Sequence, residues 1–219
     1  MYNYGLKNIS CYFEHGSSIC RTILKRYMET DSMLIGIPAY RGFHVRPSTL
    51  LSKIVLHYGT DVQMSILDEN YDVKSPLELF RANEAINREK RRMLFSYLEK
   101  MQYFGHLERD EPLEYIITHL LFDLERNKIL ISYDYDISEF CRNINDSLTR
   151  KEIVTRAVTA MIAAGKIDIT TDLKALFTGD RRVLLDIKTL ADNTYGEDQA
   201  GRNIPLPKSL SYLHRPEFS

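Results

Sequence analysis

Between Ser32 and Phe80 the spacing of apolar residues changes period repeatedly, and a stop or start residue marks the changes. "SMLIGIP", Ser32 to Pro38, is a short continuous apolar run and predicts a buried strand. From Arg46 to Tyr58 the residues Leu50, Leu51, Ile54, Val55 and Tyr58 recur at helical spacing, and Gly59 follows as a left-handed stop. "DVQMSIL", Asp61 to Leu67, alternates with a period of two. "DEN" then predicts a turn and "YDVK" the partner strand of a hairpin. "SPLE", Ser75 to Glu78, opens a helix: serine can cap, proline suits the first helical position, and glutamate stands three residues after the serine. A chain with this order has to combine helices with antiparallel strands.

The flanking regions read as mostly helical. Residues 1–31 place Ile19, Ile23, Leu24 and Tyr27 at helical spacing, which predicts an N-terminal helical appendage. The helix opened by Ser75 is expected to run to about Gln102, and "DEPLEYIITHLLFDLERN", Asp110 to Asn127, predicts another. "KILISYDY" is strand-like. "DISE" at Asp136–Glu139 and "TRKE" at Thr149–Glu152 are further capping boxes, the second starting a helix that ends at Gly165. After Asn193 the chain becomes a Gly-, Pro- and polar-rich tail that must drape over something or remain mobile. The expected division is therefore 1–31 appendage, 32–80 core, 81–127 helical insertion or extension, and 147–219 C-terminal helical region with an extended tail.

Composition narrows the function classes. The 29 basic residues balance 30 acidic ones, so there is no general pull toward nucleic acid or membrane, and any anion binding must be local. Three cysteines at wide spacing, Cys11, Cys20 and Cys141, fit neither a disulfide framework nor a zinc site. The first thirty residues lack an apolar secretory segment, and no run reaches the length of a membrane span, so a cytoplasmic location is expected.

"GFHVRP", Gly42 to Pro47, concentrates the chemistry. If His44 sits at the N-cap of the helix that follows, the free amides of the first turn and the helix dipole create positive potential beside it. Arg46 adds a permanent cation. That field favours an uncharged, nucleophilic ring able to attack phosphorus. Pro47 stiffens the first turn and Gly42 permits an unusual backbone angle before it. A lone histidine at a helix start is ordinarily a surface or capping residue; the larger pattern is what gives this one a role.

That pattern resembles the HPr family, the histidine phosphocarriers of the bacterial sugar phosphotransferase system and their regulatory relatives. The family's motif of Gly, apolar, His, small residue, Arg and Pro stands here as Gly42-Phe43-His44-Val45-Arg46-Pro47. The likeness continues through Ser48, Leu50 and Leu51 and through the hairpin. It reaches Lys74-Ser75, where Ser75 follows the histidine by 75 − 44 = 31 residues. It covers about Met33 to Phe80, less than a quarter of the chain.

The resemblance implies an α+β fold, an HPr-like open-faced sandwich of antiparallel sheet packed by helices, here elaborated with N-terminal, inserted and C-terminal helices. It requires a fourth strand and a third helix. The segment 128–146 is a candidate for both, with 81–127 inserted; C-terminal helices are the other source. It makes His44 the phosphoryl acceptor, Arg46 the phosphate-stabilising group, and Ser75 a position that a serine kinase modifies in some members. Pro47, Leu77 and Phe80 become partner-binding residues. Read from its own context, Ser75 is first a helix cap, and the two roles are not exclusive.

The expected function is thus a phosphocarrier or phosphorelay protein, a substrate of phosphotransferases more than an enzyme, with partners resembling enzyme I. The alternative is a regulatory or scaffolding protein that keeps the fold as a binding module. No cofactor, metal, nucleic acid or membrane partner is expected. The basic cluster Asn87–Arg92 reads as a solvated helix face, and Arg181-Arg182 as surface. His15, His57, His106, His119 and His214 lack ligand spacing, with His57 near a helix end where a cation is favourable.

Overall fold

The structure is a computed structural model that describes residues 2–26, 28–106, 111–133, 136–141 and 148–214. In chain order the elements are α1 (Tyr2–Arg26), β1 (Thr30–Gly36), α2 (Val45–Tyr58), β2 (Val62–Ile66), β3 (Glu69–Asp72), α3 (Pro76–Lys100) and α4 (Leu113–Arg126). They continue as β4 (Leu130–Ser132), α5 (Ile137–Cys141), α6 (Arg150–Ala163), β5 (Ile167–Ile169), β6 (Lys174–Asp180) and α7 (Arg181–Asp192). This is a mixed α+β fold whose larger sheet is open and antiparallel, in the order β1-β6-β2-β3, with helices against it.

Register explains why the sheet has one dry face. Met33, Phe177, Met64 and Tyr71 pair directly across the four strands, and all but the partly buried Met33 lie in the core. The alternate positions carry Ser32 bonded to Thr178 and Ser65 bonded to Asn70. Leu34 and Leu176 pair on that same outer side and are exposed, Leu34 by 68%. β1 is therefore an edge strand with one wet face, where its apolar run had predicted burial. Side chains alternate along a strand, so only every second one reaches the helices.

The hairpin turn also differs from expectation. Ile66 pairs with Glu69, leaving Leu67 and Asp68 as a two-residue turn with φ of 52° and 62°. Both angles are those of the turn that matches strand twist, so Glu69 and Asn70 belong to β3.

A second core lies around the distal half of α3. Leu79, Ala82 and Ile86 of that helix pack into the sheet core, while Leu94 and Leu98 pack with Ile117, Leu121, Val158 and Met161. Twenty-five residues at about 1.5 Å each make α3 long enough to serve both cores. Of the segment 128–146, the described part belongs to the second: β4 pairs with β5 in a separate two-stranded sheet. It therefore does not complete the main sheet. That place goes to β6, whose buried Ala175 and Phe177 alternate with the more exposed Lys174 and Leu176. The C-terminal region expected to be helical thus carries two strands. Among the described residues no helix is long and apolar enough to cross a membrane.

α7 follows β6 without a loop. Asp180 is its N-cap, accepting from Arg182 N at 2.9 Å, and the helical spacing of Val183, Leu184, Ile187 and Leu190 buries its inner side. Arg182, expected as plain surface, donates to both Asp180 oxygens, Nε to Oδ1 at 3.1 Å and Nη2 to Oδ2 at 2.6 Å. Those bonds hold the Asp180 carboxyl below its ordinary range. A depressed folded value stabilises above the unfolded value of about 3.9, and the gain is lost as pH falls through the folded value. Asp180→Asn keeps a capping side chain but loses the charge, and Arg182 is half exposed. The substitution should cost about 1 kcal/mol at pH 7 and shrink on acidification. Urea midpoints from about pH 6 to pH 2 check this; a variant that parallels the wild-type acid curve would refute it.

Candidate functional site

β1 and α2 are joined by a turn that is fixed from below. Arg41 and Gly42 both take left-handed angles, φ 53° and 62°. A Cβ on Gly42 would lie 2.1 Å from Asn83 Oδ1, so glycine is required by space as well as by angle. Asn83, on α3, accepts from Phe43 N at 3.0 Å and donates Nδ2 to Arg41 O at 3.1 Å. Phe43 is fully buried, and Ser48 Oγ donates to its carbonyl at 2.9 Å. His44 inherits this rigidity.

His44 is the N-cap of α2, as the sequence predicts. Its backbone is extended at φ −77° and ψ −170°, its carbonyl accepts from Ser48 N at 3.1 Å, and its side chain caps nothing. The imidazole is 24% exposed. Nδ1 lies 3.1 Å from Gly42 O, and Tyr40 meets the ring edge-on at 5.4 Å. Arg46 follows in the same turn, and its buried Nε has no hydrogen-bond partner.

Glu197 is the group that sequence reasoning missed. Its carboxylate, 7% exposed, lies 3.1 Å from His44 Nε2 and 3.9 Å from Arg46 Nε. The setting of His44 is thus not the purely positive one expected. Each ring nitrogen faces an oxygen acceptor, which a ring carrying one proton satisfies on one side only.

The C-terminal segment drapes over the core and carries Glu197 there. Thr194, Tyr195 and Gly196 take left-handed angles in succession, φ 48°, 57° and 75°. Tyr195 is buried edge-on against Phe43 and donates its hydroxyl to Gly36 O at 2.6 Å. Burial raises its phenol well above the ordinary range. Thr194 Oγ1 donates to Glu197 O, and Glu197 bridges to Asn203. Farther along, Tyr212 stacks on His57 at 4.0 Å and, with Tyr58, donates to Asp186. A separation of 153 residues hides the pairing of Glu197 with His44 from any spacing rule; the only local sign is an acid just after the Tyr-Gly turn.

The remaining expected positions are distributed around this centre. Ser75 caps α3, accepting from Glu78 N at 3.4 Å with Pro76 next, and is partly exposed. Leu77 and Phe80 are exposed, as is Val45; Pro47 is buried and so stiffens the turn without presenting a surface. Within the basic cluster Lys90 is not solvated: it is buried, and its Nζ donates to Asp168 Oδ1 at 3.0 Å. Asp168 Oδ2 accepts from Arg41 N at 3.1 Å, tying this ion pair to the turn before His44. A cleft of about 210 Å³ lies there, lined by Arg41, His44, Asn83, Asn87 and Asp168 among others. Among the described residues no three His, Cys, Asp or Glu side chains are grouped to hold a metal. Tyr27 and the side chains of Leu24, His106 and Cys141 lie outside the described residues.

No protein-family model matches the chain, and comparison with curated proteins and with solved structures finds no significant match.

Proposed function

We propose that this chain is an HPr-like phosphocarrier or phosphorelay protein that accepts a phosphoryl group on His44 from a phosphorylated partner protein and passes it on. The observation that carries the reading is the placement of a partly exposed imidazole at the start of α2, two residues before Arg46, within Gly-Phe-His-Val-Arg-Pro. The path of the chain supports it. β6 and α7 supply the fourth strand and third helix that the family resemblance requires, from residues 174–192 in place of 128–146.

In the reaction a ring nitrogen attacks phosphorus as the bond to the donor's group breaks, and the ring proton leaves to solvent. Little covalent work falls to the protein, so catalysis is positioning and charge stabilisation. The positive end of α2 and the Arg46 guanidinium receive the phosphate oxygens. Val45, Leu77 and Phe80 give an exposed apolar surface for a partner resembling enzyme I. A phosphate on Ser75 would sit at the N-terminus of α3, beside Leu77, and add negative charge where the partner docks.

Incubation with a phosphoenolpyruvate-driven enzyme I should give an acid-labile, alkali-stable adduct visible by phosphorus NMR, and His44→Ala should abolish it. Absence of any adduct with the organism's own enzyme I would remove the reading. A second reading, a binding or scaffolding module without phosphotransfer, is favoured by one observation: a carboxylate already stands against His44. Partner capture that persists undiminished in His44→Ala would select it.

A further inference from the structure

We infer that Glu197 is a built-in occupant of the phosphate position, an internal anion that a phosphoryl group must displace to reach His44; this rests on the phosphocarrier reading of the same site.

The charge arrangement carries the inference. A buried carboxylate is costly unless opposite charge and hydrogen bonds compensate it. At 7% exposure, Glu197 has the Arg46 guanidinium as its cationic contact, Nε at 3.9 Å, and the ring nitrogen His44 Nε2 at 3.1 Å, beside the first turn of α2. These are the groups that would hold a phosphate. The Arg46 contact is loose: Nε is buried and makes no hydrogen bond, so the guanidinium is aimed at a position that the carboxylate fills incompletely. A tetrahedral anion with three oxygens reaches farther than a carboxylate and can satisfy that donor.

The occupant is placed there by backbone the chain does not adopt freely. Left-handed angles are uncommon for threonine and rarer for a large aromatic, yet Thr194 and Tyr195 both take them immediately before Gly196. Gly196 is confined as well: a Cβ there would approach Leu206 to 2.8 Å and an Arg46 Nη to 3.1 Å. With Tyr195 anchored on Phe43, the turn itself stays seated. Displacement therefore means rotation of the Glu197 side chain away from the ring, not unfolding of the segment.

The step balances without a further reagent. The P–N bond to His44 forms as the donor's bond to phosphorus breaks, the imidazole proton leaves to solvent, and the Glu197 carboxylate swings out unchanged. Retained nearby, it repels the phosphoryl dianion. Glu197 therefore slows loading and raises the tendency of the loaded protein to give its phosphoryl group away.

Glu197→Gln keeps size and hydrogen bonding while removing the charge. With a phosphoenolpyruvate-driven enzyme I as donor, the variant should load about tenfold faster and hold the adduct about tenfold longer than wild type. Equal or slower loading in a variant of unchanged melting temperature overturns the inference, because an orienting carboxylate would have that signature. Inorganic phosphate gives a second arm that does not depend on group transfer. Millimolar phosphate should shift the Val45 and Arg46 amide signals of the Glu197→Gln protein and leave those of wild type in place. Equal shifts in both proteins overturn it. If neither protein forms an adduct, the phosphocarrier reading fails, and the phosphate titration still decides who occupies the anion position.

Discussion

Lys90→Met should lower the unfolding free energy by about 3–5 kcal/mol, one of the two largest effects expected of a single substitution here. Lys90 sits on α3 between Ile86 of the sheet core and Leu94 of the second core, and its side chain is 2% exposed. Its partner Asp168, at the centre of β5, also accepts from Ile169 N at 2.7 Å and from Arg41 N at 3.1 Å. Removing the ammonium leaves a buried carboxylate held only by neutral donors. The cost is the desolvation of that charge, more than the lost attraction itself. Asp168→Asn makes the mirror-image fault by stranding the ammonium. The double variant should recover at least about 1 kcal/mol relative to the sum of the two singles. Urea unfolding of the four proteins gives the cycle. A loss below about 1 kcal/mol for Lys90→Met would mean that water reaches the pair. Since Asp168 also holds Arg41, Asp168→Ala should speed amide exchange at Arg41–Phe43, loosening the turn that carries His44.

Tyr195→Ala is the second, with an expected loss of about 3–5 kcal/mol. The ring is buried at 2% exposure against Phe43, so truncating it opens a cavity in a close-packed interior. Its left-handed backbone gives no compensating relief, because alanine at φ 57° is strained as tyrosine is. Tyr195→Phe retains the ring and loses only the hydrogen bond to Gly36 O, so about 1 kcal/mol is expected. The pair of variants separates packing from hydrogen bonding. The Ala variant should also free Glu197, which can be read from the ring signals of His44. A stable Tyr195→Ala protein with unchanged His44 signals would show that the segment is held elsewhere, through Tyr212 and Asp186.

How far the fold was legible follows from where its information lies along the chain. α2 was readable because its apolar spacing, its Gly59 stop and its Arg46-Pro47 start are all local. Ser75 and Thr149 were readable as caps for the same reason: a hydroxyl and an amide three residues apart find each other whatever the rest of the chain does. β6 was not recognised, although Ala175 and Phe177 alternate with the less buried Lys174, Leu176 and Thr178; a short pattern that runs into glycine is weak until a neighbouring strand fixes it. The edge position of β1 was invisible, since an apolar run does not say how many of its faces will be covered.

Sequence by itself determined the local chemistry: a histidine at a helix start, an arginine one half-turn on, a glycine where only glycine fits, and caps that begin two further helices. Tertiary structure alone decided which strand lies between β1 and β2, that Lys90 is buried against Asp168, and that the Glu197 carboxylate stands against His44. The physical reason is range. Caps and helical spacing act over three or four residues, whereas the pairing of polar side chains 78 or 153 residues apart exists only once burial has brought them together and stripped the water between them.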